Sequence, residues 1–527
     1  MRKMKRWAAL LCAVLMAVTL LPMQVWAVET EDVSTVQEEA LVNETPAGDE
    51  QAEDEPVTSD ADDPGTLCRA YPDGLNNRTH VEQLSEAEAA ELSILPWEEL
   101  SSPMLARSNA EVDPPYFNII TVERYGRSKL ENMAKSDVYL DIYDALLLLA
   151  STNFQGMLEM PKGTTIYCTD AELAVSAFYA DYPELFWARP NYYYYTAKPK
   201  LCAGIAFEYN SHYDNLDEEL PLFMETADNI LAGMPNGSDY EKELYLHDVL
   251  VNRVTYTDSK LEEQNGYTAL VEGKGVCAGY AFALQYLLMR AGIQSYYVVG
   301  YAGESHAWNL VKIDGKWYYV DATWDDPVYN GSDDPYSPYH SYFNITTAML
   351  QEDHTPSDTP YNVPLENCTA TDAFYYRVND TIVSVTGSGL VDKVADLLQR
   401  NGGRVYLYVT DNDPAETINM WYHDNIHAIC TAIQAETCAF GTSSFGRETV
   451  LWFAGEFLSK TPGELNGSSG LDIRDVDLLY QYLTTGRPTI TSVMTEAQFL
   501  DNADVNRDTI IDVYDLQLLY EMVCGRR

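Results

Sequence analysis

The sequence predicts an α+β protein, on three observations. Runs with helical apolar spacing precede runs that alternate like strands. One apolar, aromatic-rich helix leads straight into two strand-like runs joined by Asp314-Gly315, a type I′ hairpin signal. The C-terminal segment repeats one loop-and-helix unit, with Glu464 and Asp504 at matching places. Together they give a mixed central core with a helical N-terminal extension, a small α/β accessory region and a C-terminal all-α module of paired loops. A chain of 527 residues has room for about two to four domains. Its formal charge of −48 excludes nucleic acid, whose phosphates need Lys and Arg, and an anionic membrane surface equally.

Residues 1–27 read as a signal peptide. "MRKMKR" is basic, Trp7 to Leu21 is an apolar run too short to span a bilayer, and Val25 and Ala27 offer small residues for cleavage. The mature chain is therefore expected outside the cell, with no later membrane segment. Residues 28–110 are acidic and poor in aromatics, a disordered tether with one short helix near Ser85 to Leu95. The N-terminal part of the globular region, 111–236, contains the helical "DVYLDIYDALLLLASTNF" and the strand "PNYYYYTAKP".

Residues 237–365 carry the chemistry. "DYEKELYLHDVLVNRVTY" has acidic residues in its first turn and an apolar face of Leu244, His247, Leu250, Val251 and Val254. His247 on that face is read as a hydrogen-bonded core residue, with an active-site role as the alternative. "KGVCAGYAFALQYLLMRAG" then places Cys277 at the mouth of an apolar helix. Nine cysteines in the whole chain, irregularly spaced and without a C-x-x-C pair, rule out a disulfide-stapled scaffold and a zinc ribbon. Cys430 and Cys438 lie close enough in sequence for a local bridge. Cys277 itself is a structural thiol, a bridged one or a nucleophile.

The hairpin favours the nucleophile. Around a two-residue Asp314-Gly315 turn, His306 faces Thr323, and Asp321 lies two residues along the same strand and on the same face. Such diagonal neighbours lie roughly 7 Å apart, within reach of an imidazole and a carboxylate. A carboxylate on one ring nitrogen fixes the tautomer and supports the imidazolium. The amides and dipole of a helix start stabilise an anion beside Cys277. The Cys277 amide is also placed to receive a tetrahedral oxyanion, so the chemistry is nucleophilic acyl transfer.

"YTALVEGKGVCAGYAFALQYLLMRAGI", "ESHAWNLVKIDGKWYYVDATWDDP" and "YFNITTAMLQEDHT" resemble the transglutaminase-like superfamily in its secreted bacterial branch, over about Asp239 to His354. A looser likeness runs upstream through "FYADYPELFWARPNYYYY". The resemblance implies a papain-like α/β core with Cys277, His306 and Asp321 as the triad, and Tyr267 and Trp308 as aromatics lining the site. It implies a protein or peptide substrate without fixing the reaction: relatives include Gln–Lys crosslinkers, cysteine peptidases, amidases and inactive binding modules. With no amine-binding signature, hydrolysis is favoured over crosslinking. The alternative is a non-catalytic module binding protein or glycan.

Residues 366–457 form the accessory region, with strands such as "GRVYLYVT" and no catalytic motif. In 458–527, "GELNGSSGLDIRDVDLLYQYL" aligns with "ADVNRDTIIDVYDLQLLYEMV". Asp504, Asn506, Asp508, Asp512 and Asp515 take loop positions 1, 3, 5, 9 and 12, with the Ile510 carbonyl at 7, the spacing of oxygen donors around Ca²⁺. The first loop offers Glu464, Asn466, Ser468, Gly470, Asp472 and Asp475, a poorer set, so the second site is expected to bind more strongly. Two such loops resemble a type I dockerin, which implies two calcium ions and a cohesin module of a scaffoldin, in a cellulosome-type assembly, as partner. In that family the pairs here occupied by Ile473-Arg474 and Val513-Tyr514 help to choose the cohesin.

Overall fold

The computed structural model describes residues 66–73, 78–97, 120–152, 156–257 save 162, 164 and 197–199, 264–433 save 330–331, 334–337 and 402, 435–457 save 446–447, and 463–524 save 464, 467–470, 486–495, 504 and 506–510. The signal peptide and the acidic stretch to residue 65 lie outside these residues.

Within the supposed tether, order begins early, which corrects the expected boundary at 110. Strands β1 (Leu67–Asp73) and β2 (Arg78–Gln83), helix α1 (Glu86–Glu91) and the short β3 (Ile94–Leu95) are all formed. Composition hid this because the ordering comes from a distant partner: β1 pairs antiparallel with the tyrosine run around Tyr192–Tyr195, burying Cys68 and Ala70. The expected short helix is α1, closed by a Ser85–Glu88 capping box.

Helices α2 (Tyr125–Glu131) and α3 (Ser136–Thr152) follow, then β4 (Met157–Glu159), the almost wholly buried α4 (Cys168–Asp181), β5 (Ala188–Tyr195) and β6 (Leu201–Tyr209). The first sheet has the order β2-β1-β5-β6-β4-β3. Thus the N-terminal extension carries a six-stranded sheet beside its helices and is not purely helical. Helix α5 (Leu216–Ala232) leads to α6 (Asp239–Arg253), whose N-cap is Ser238, closed by a capping box with Glu241.

The central core is α7 (Cys277–Arg290) on a second sheet of β7 (Ser295–Tyr301), β8 (Ser305–Ile313), β9 (Lys316–Val320) and β10 (Thr355–Pro356), in the order β9-β8-β7-β10. The hairpin register is as expected: Ile313 pairs with Lys316 and Asn309 with Val320. Asp314 and Gly315 both take positive φ, at 49° and 79°, the type I′ geometry. Gly300 on β7 cannot be larger, since a Cβ there would lie 2.4 Å from the Thr355 carbonyl oxygen and 2.5 Å from the Trp308 ring. That close approach lets β10 dock beside the core.

Ala373, Phe374 and Tyr376 belong to the same apolar core, so it continues past the expected boundary at 365. The accessory region then folds as β11 (Ile382–Val383), α8 (Leu390–Arg400), β12 (Arg404–Val409), α9 (Pro414–Ala432), β13 (Ala435–Phe445) and β14 (Glu448–Phe457), with sheet order β11-β12-β14-β13 and its own core. The Cys438 side chain, half of the suggested local bridge, lies outside the described residues. The C-terminal helices are α10 (Ile473–Thr485), α11 (Glu496–Ala503) and α12 (Val513–Val523), around a small core with Leu479, Phe499 and Leu519. Helix α11 was not foreseen. Among the described residues, no helix is long and apolar enough to cross a membrane.

Two buried carboxyls make stability depend on pH. Burial pushes Glu243 and Glu448 up to about 8, from a usual 4.5. The fold therefore keeps protons that the unfolded chain releases, and stability falls as pH rises from 4.5 towards 8. Self-repulsion of so acidic a chain acts in the same direction. Thermal melts followed by circular dichroism are expected to show a midpoint at least about 3 °C lower at pH 8.5 than at pH 5.5, with a smaller drop in Glu243→Gln. Equal midpoints would refute this.

Candidate active site

Cys277 is the first residue of α7, after Val276 in extended conformation. The first-turn amides of a helix have no acceptor within it, so the backbone presents donors beside the buried thiol. Three ties set α7 against β8, β7 and α4. Asn309 Nδ2 on β8 donates to the Ala281 carbonyl at 2.9 Å, and Gln285 Nε2 donates to the Ala180 carbonyl at 2.8 Å. Phe282 stacks on Tyr297 of β7 with ring centroids 3.9 Å apart.

His306 lies near the start of β8, and Asp321 is the first residue after β9. The ladder ends at Val320, so Thr323 is not paired with His306 as the simple register implied; the chain turns instead. The turn carries the carboxylate closer than a flat ladder would, with His306 Nε2 2.6 Å from Asp321 Oδ2. After Asp321, Cys277 is the other side chain that favours the charged form of His306. Burial works against a charged His306, but Asp321 and then Cys277 outweigh it and raise the imidazole to about 10. Burial would likewise protonate Asp321, yet His306 and His354 hold it well below the usual carboxylate range. Its Oδ1 accepts from the amides of Thr323 at 2.9 Å and Trp324 at 3.2 Å. The group is thus a cysteine sulfur, an imidazole kept protonated and a fixed carboxylate, an arrangement able to attack a carbonyl and protonate a leaving amine.

The three acids of "DATWDDP" are all buried, each holding a different neighbour. Asp325 Oδ1 accepts from the Tyr342 amide at 2.9 Å and its Oδ2 faces His247 Nε2 at 3.2 Å; Asp326 Oδ2 accepts from Tyr280 of α7 at 2.7 Å. His247 is accordingly a core histidine: its Nδ1 meets Asp248 Oδ1 at 3.0 Å, and that oxygen also meets His340 Nε2 at 2.9 Å.

The expected aromatics part company. Trp308 is buried beside the triad, its ring 5.9 Å from that of His306. Tyr267 packs among Phe186, Tyr213 and Phe223, at 4.7, 5.2 and 6.2 Å between centroids. Sequence reasoning missed His354, whose Nε2 lies 3.0 Å from the same Asp321 oxygen. Its only signal was the quoted "QEDHT", since no periodicity links position 354 to a hairpin that ends at 320. Two groups, His306–Asp321–His354 and His247–Asp248–His340, present donor sets of the kind transition metals accept, each within 4.8 Å. In both, one carboxylate oxygen lies at hydrogen-bond distance from two imidazoles.

A cavity of about 660 Å³ reaches Ala278, next to Cys277, and is walled by Tyr71, Arg189, Tyr179, Tyr297 and Tyr361. Here the N-terminal sheet meets the core, so the ordered tether segment contributes directly to the cleft.

Of the residues expected to ligate calcium, Glu464, Ser468, Gly470, Asp504, Asn506, Asp508 and Ile510 lie outside the described residues. Asp475 and Asp515 are fully buried. Asp475 Oδ1 accepts from the Leu465 and Asn466 amides at 2.8 and 2.9 Å, and Oδ2 from the Asp472 amide at 2.8 Å, which closes the loop. Asp515 Oδ2 accepts likewise from the Asp512 amide at 2.8 Å. All-oxygen donors with a buried carboxylate at position 12 fit calcium. Ile473, Val513 and Tyr514 are exposed at 61, 63 and 67%, and Arg474 is exposed while pairing with Asp472.

Comparison with known proteins bears on the core. Residues 225–322 match the transglutaminase-like superfamily model, a span that includes Cys277, His306 and Asp321 and stops short of His354. The chain is 31% identical over 97 residues to the kyphoscoliosis peptidases of Mus musculus and Homo sapiens, which is 16% of this chain and spans 15% of either relative. Among solved structures, a TGase is 19% identical over 23% of this chain and 40% of its own, with a TM-score of 0.19. A candidate cysteine protease from Cytophaga hutchinsonii is 20% identical over 24% and 52%, with a TM-score of 0.17. The central core is a transglutaminase-like domain within a mixed α/β chain.

Proposed function

We propose that the protein is a secreted thiol acyl-hydrolase or acyltransferase, with Cys277 as nucleophile, His306 as acid and base and Asp321 as the residue that orients His306. The observation that carries this is the 2.6 Å contact between His306 Nε2 and Asp321 Oδ2, with Cys277 at the start of a helix and favouring the charged form of the same imidazole. In the first step Cys277 sulfur bonds to the acyl carbon of a peptide or side-chain amide, and the C–N bond breaks. The amine leaves with the proton held on His306. In the second, water gives its proton to His306 and its oxygen to the acyl carbon, the C–S bond breaks, and acid is released with the Cys277 sulfur restored as an anion beside protonated His306; an amine in place of water gives transfer. First-turn amides of α7 are placed to stabilise the oxyanion. The tyrosine-walled cavity beside Ala278, with Arg69, Glu82, Arg189 and Glu208 also on its wall, offers aromatic contacts and a few charges where the side chains of a peptide or protein substrate would enter. Incubating the protein with a peptide library, with and without a primary amine, and reading masses tests both branches. A gain of water signals hydrolysis and a gain of amine signals transfer; no wild-type product over Cys277→Ala in either arm would contradict the proposal.

The C-terminal module is read as a calcium-dependent dockerin that attaches the enzyme to a cohesin on an extracellular scaffold. The duplicated donor spacing and the exposed Ile473, Arg474, Val513 and Tyr514 support it. On a cohesin panel, binding is expected with calcium and a loss of about 100-fold or more with chelator or Asp515→Ala. Calcium-independent capture would refute the calcium role, and failure across the panel would refute the dockerin reading.

A further inference from the structure

The Asp321 carboxylate is shared. Its Oδ2 lies 2.6 Å from His306 Nε2 and 3.0 Å from His354 Nε2, and the other His354 nitrogen, Nδ1, lies 2.5 Å from Asp353 Oδ1. His354 enters from the opposite edge of the sheet, just before β10, and its side chain is fully buried. Three aromatic rings hold it: Trp308 at 5.1 Å, Trp324 at 4.6 Å and Tyr342 at 5.3 Å between centroids. Tyr342 also donates its hydroxyl to Asp353 Oδ2 at 2.5 Å, so the second carboxylate is fixed in turn. The ionisable groups around His354 are therefore Asp321, Asp353, Tyr342 and His306, the last 5.6 Å away between ring centroids.

We propose that His354 is a positioning residue for the Cys277–His306–Asp321 group, holding the Asp321 carboxylate against His306 and continuing the hydrogen-bond chain to Asp353; this rests on the functional reading above. Two amides fix Oδ1, but they leave the carboxylate able to tilt about that edge. A second donor on Oδ2 removes this freedom. An imidazole with a carboxylate on each nitrogen is itself immobilised, as the orienting partners of catalytic and metal-bound histidines are. Burial opposes a charge on His354, but Asp321 and Asp353 raise its affinity for the proton, which keeps Nε2 a donor.

The test is the rate of Cys277 alkylation by iodoacetamide across pH 5 to 9, mapped by mass spectrometry, in wild type, His306→Ala, His354→Leu and His354→Gln. Leu keeps the bulk and removes the donor; Gln restores one N–H. His354→Leu is expected to alkylate at least about tenfold more slowly at pH 6, with the acid limb of its profile moved towards neutral, and His354→Gln to recover to within about threefold. A purely packing role moves neither the limb nor the rescue. If the Leu variant does not fold by thermal melt, Asp353→Asn, at a partly exposed position, is expected to slow alkylation threefold or more. A fast wild type that depends on His306 but not on His354 or Asp353, or a folded Gln variant no faster than Leu, overturns this inference alone. Equally slow wild type and His306→Ala overturn the nucleophile reading and this inference with it.

Discussion

Cys277→Ala is expected to lower turnover of any accepted substrate by about three to four orders of magnitude while leaving the fold intact. The residue is buried at the start of α7, and the change removes only one sulfur atom. The void should cost no more than about 1 kcal/mol, so the thermal midpoint should move by a few degrees at most. Substrate affinity, measured by calorimetry on the inactive variant, should persist. A non-catalytic module would show no turnover in either form and equal affinity in both, which is how the two readings separate.

Asp321→Ala is expected to have the largest combined effect. It removes a carboxylate that meets two imidazoles and two amides, and leaves both buried Nε2 atoms without their partner. Breaking a buried charge pair from one side costs about 3–5 kcal/mol, so the midpoint should fall by roughly 10 °C. Asp321→Asn keeps the shape and separates stability from chemistry. Its amide can still accept from Thr323 and Trp324, but it sets N–H against N–H or a neutral oxygen against His306. Turnover is expected to fall about 10⁴-fold with a much smaller loss of stability, as when a triad aspartate is replaced by its amide. Paired assays and melts of the two variants check this; near wild-type turnover in Asp321→Asn would remove Asp321 from the mechanism.

The hairpin explains why so much of the site was legible. A two-residue turn fixes register, and register fixes which side chains share a face, so His306 and Asp321 could be brought together from spacing alone. Cys277 was legible for a different reason: a thiol at the start of an apolar helix is a local feature. His354 has neither advantage. It reaches Asp321 across the full width of a sheet, through the pairing of β10 with β7 that only Gly300 permits. The ordered segment around β1 failed in the same way. It directly follows an acidic, proline-dotted stretch, and it is folded by four tyrosines more than a hundred residues later. His247 was rightly read as core, but the acids that satisfy it, Asp248 beside it and Asp325 in the loop after β9, came from tertiary structure. Local chemistry and short-range geometry were readable; long-range strand pairing was not.

The central claim is that Cys277 is an activated nucleophile paired with His306, and alkylation tests it most directly. We would compare the iodoacetamide rate of Cys277 at pH 6 in wild type and His306→Ala. Fast labelling in wild type, slowed at least about tenfold in the variant, is the predicted result. Sluggish labelling in both proteins, rising only near the ~8.5 of an ordinary thiol, would contradict the account and leave a transglutaminase-like domain that binds its ligand without reacting with it.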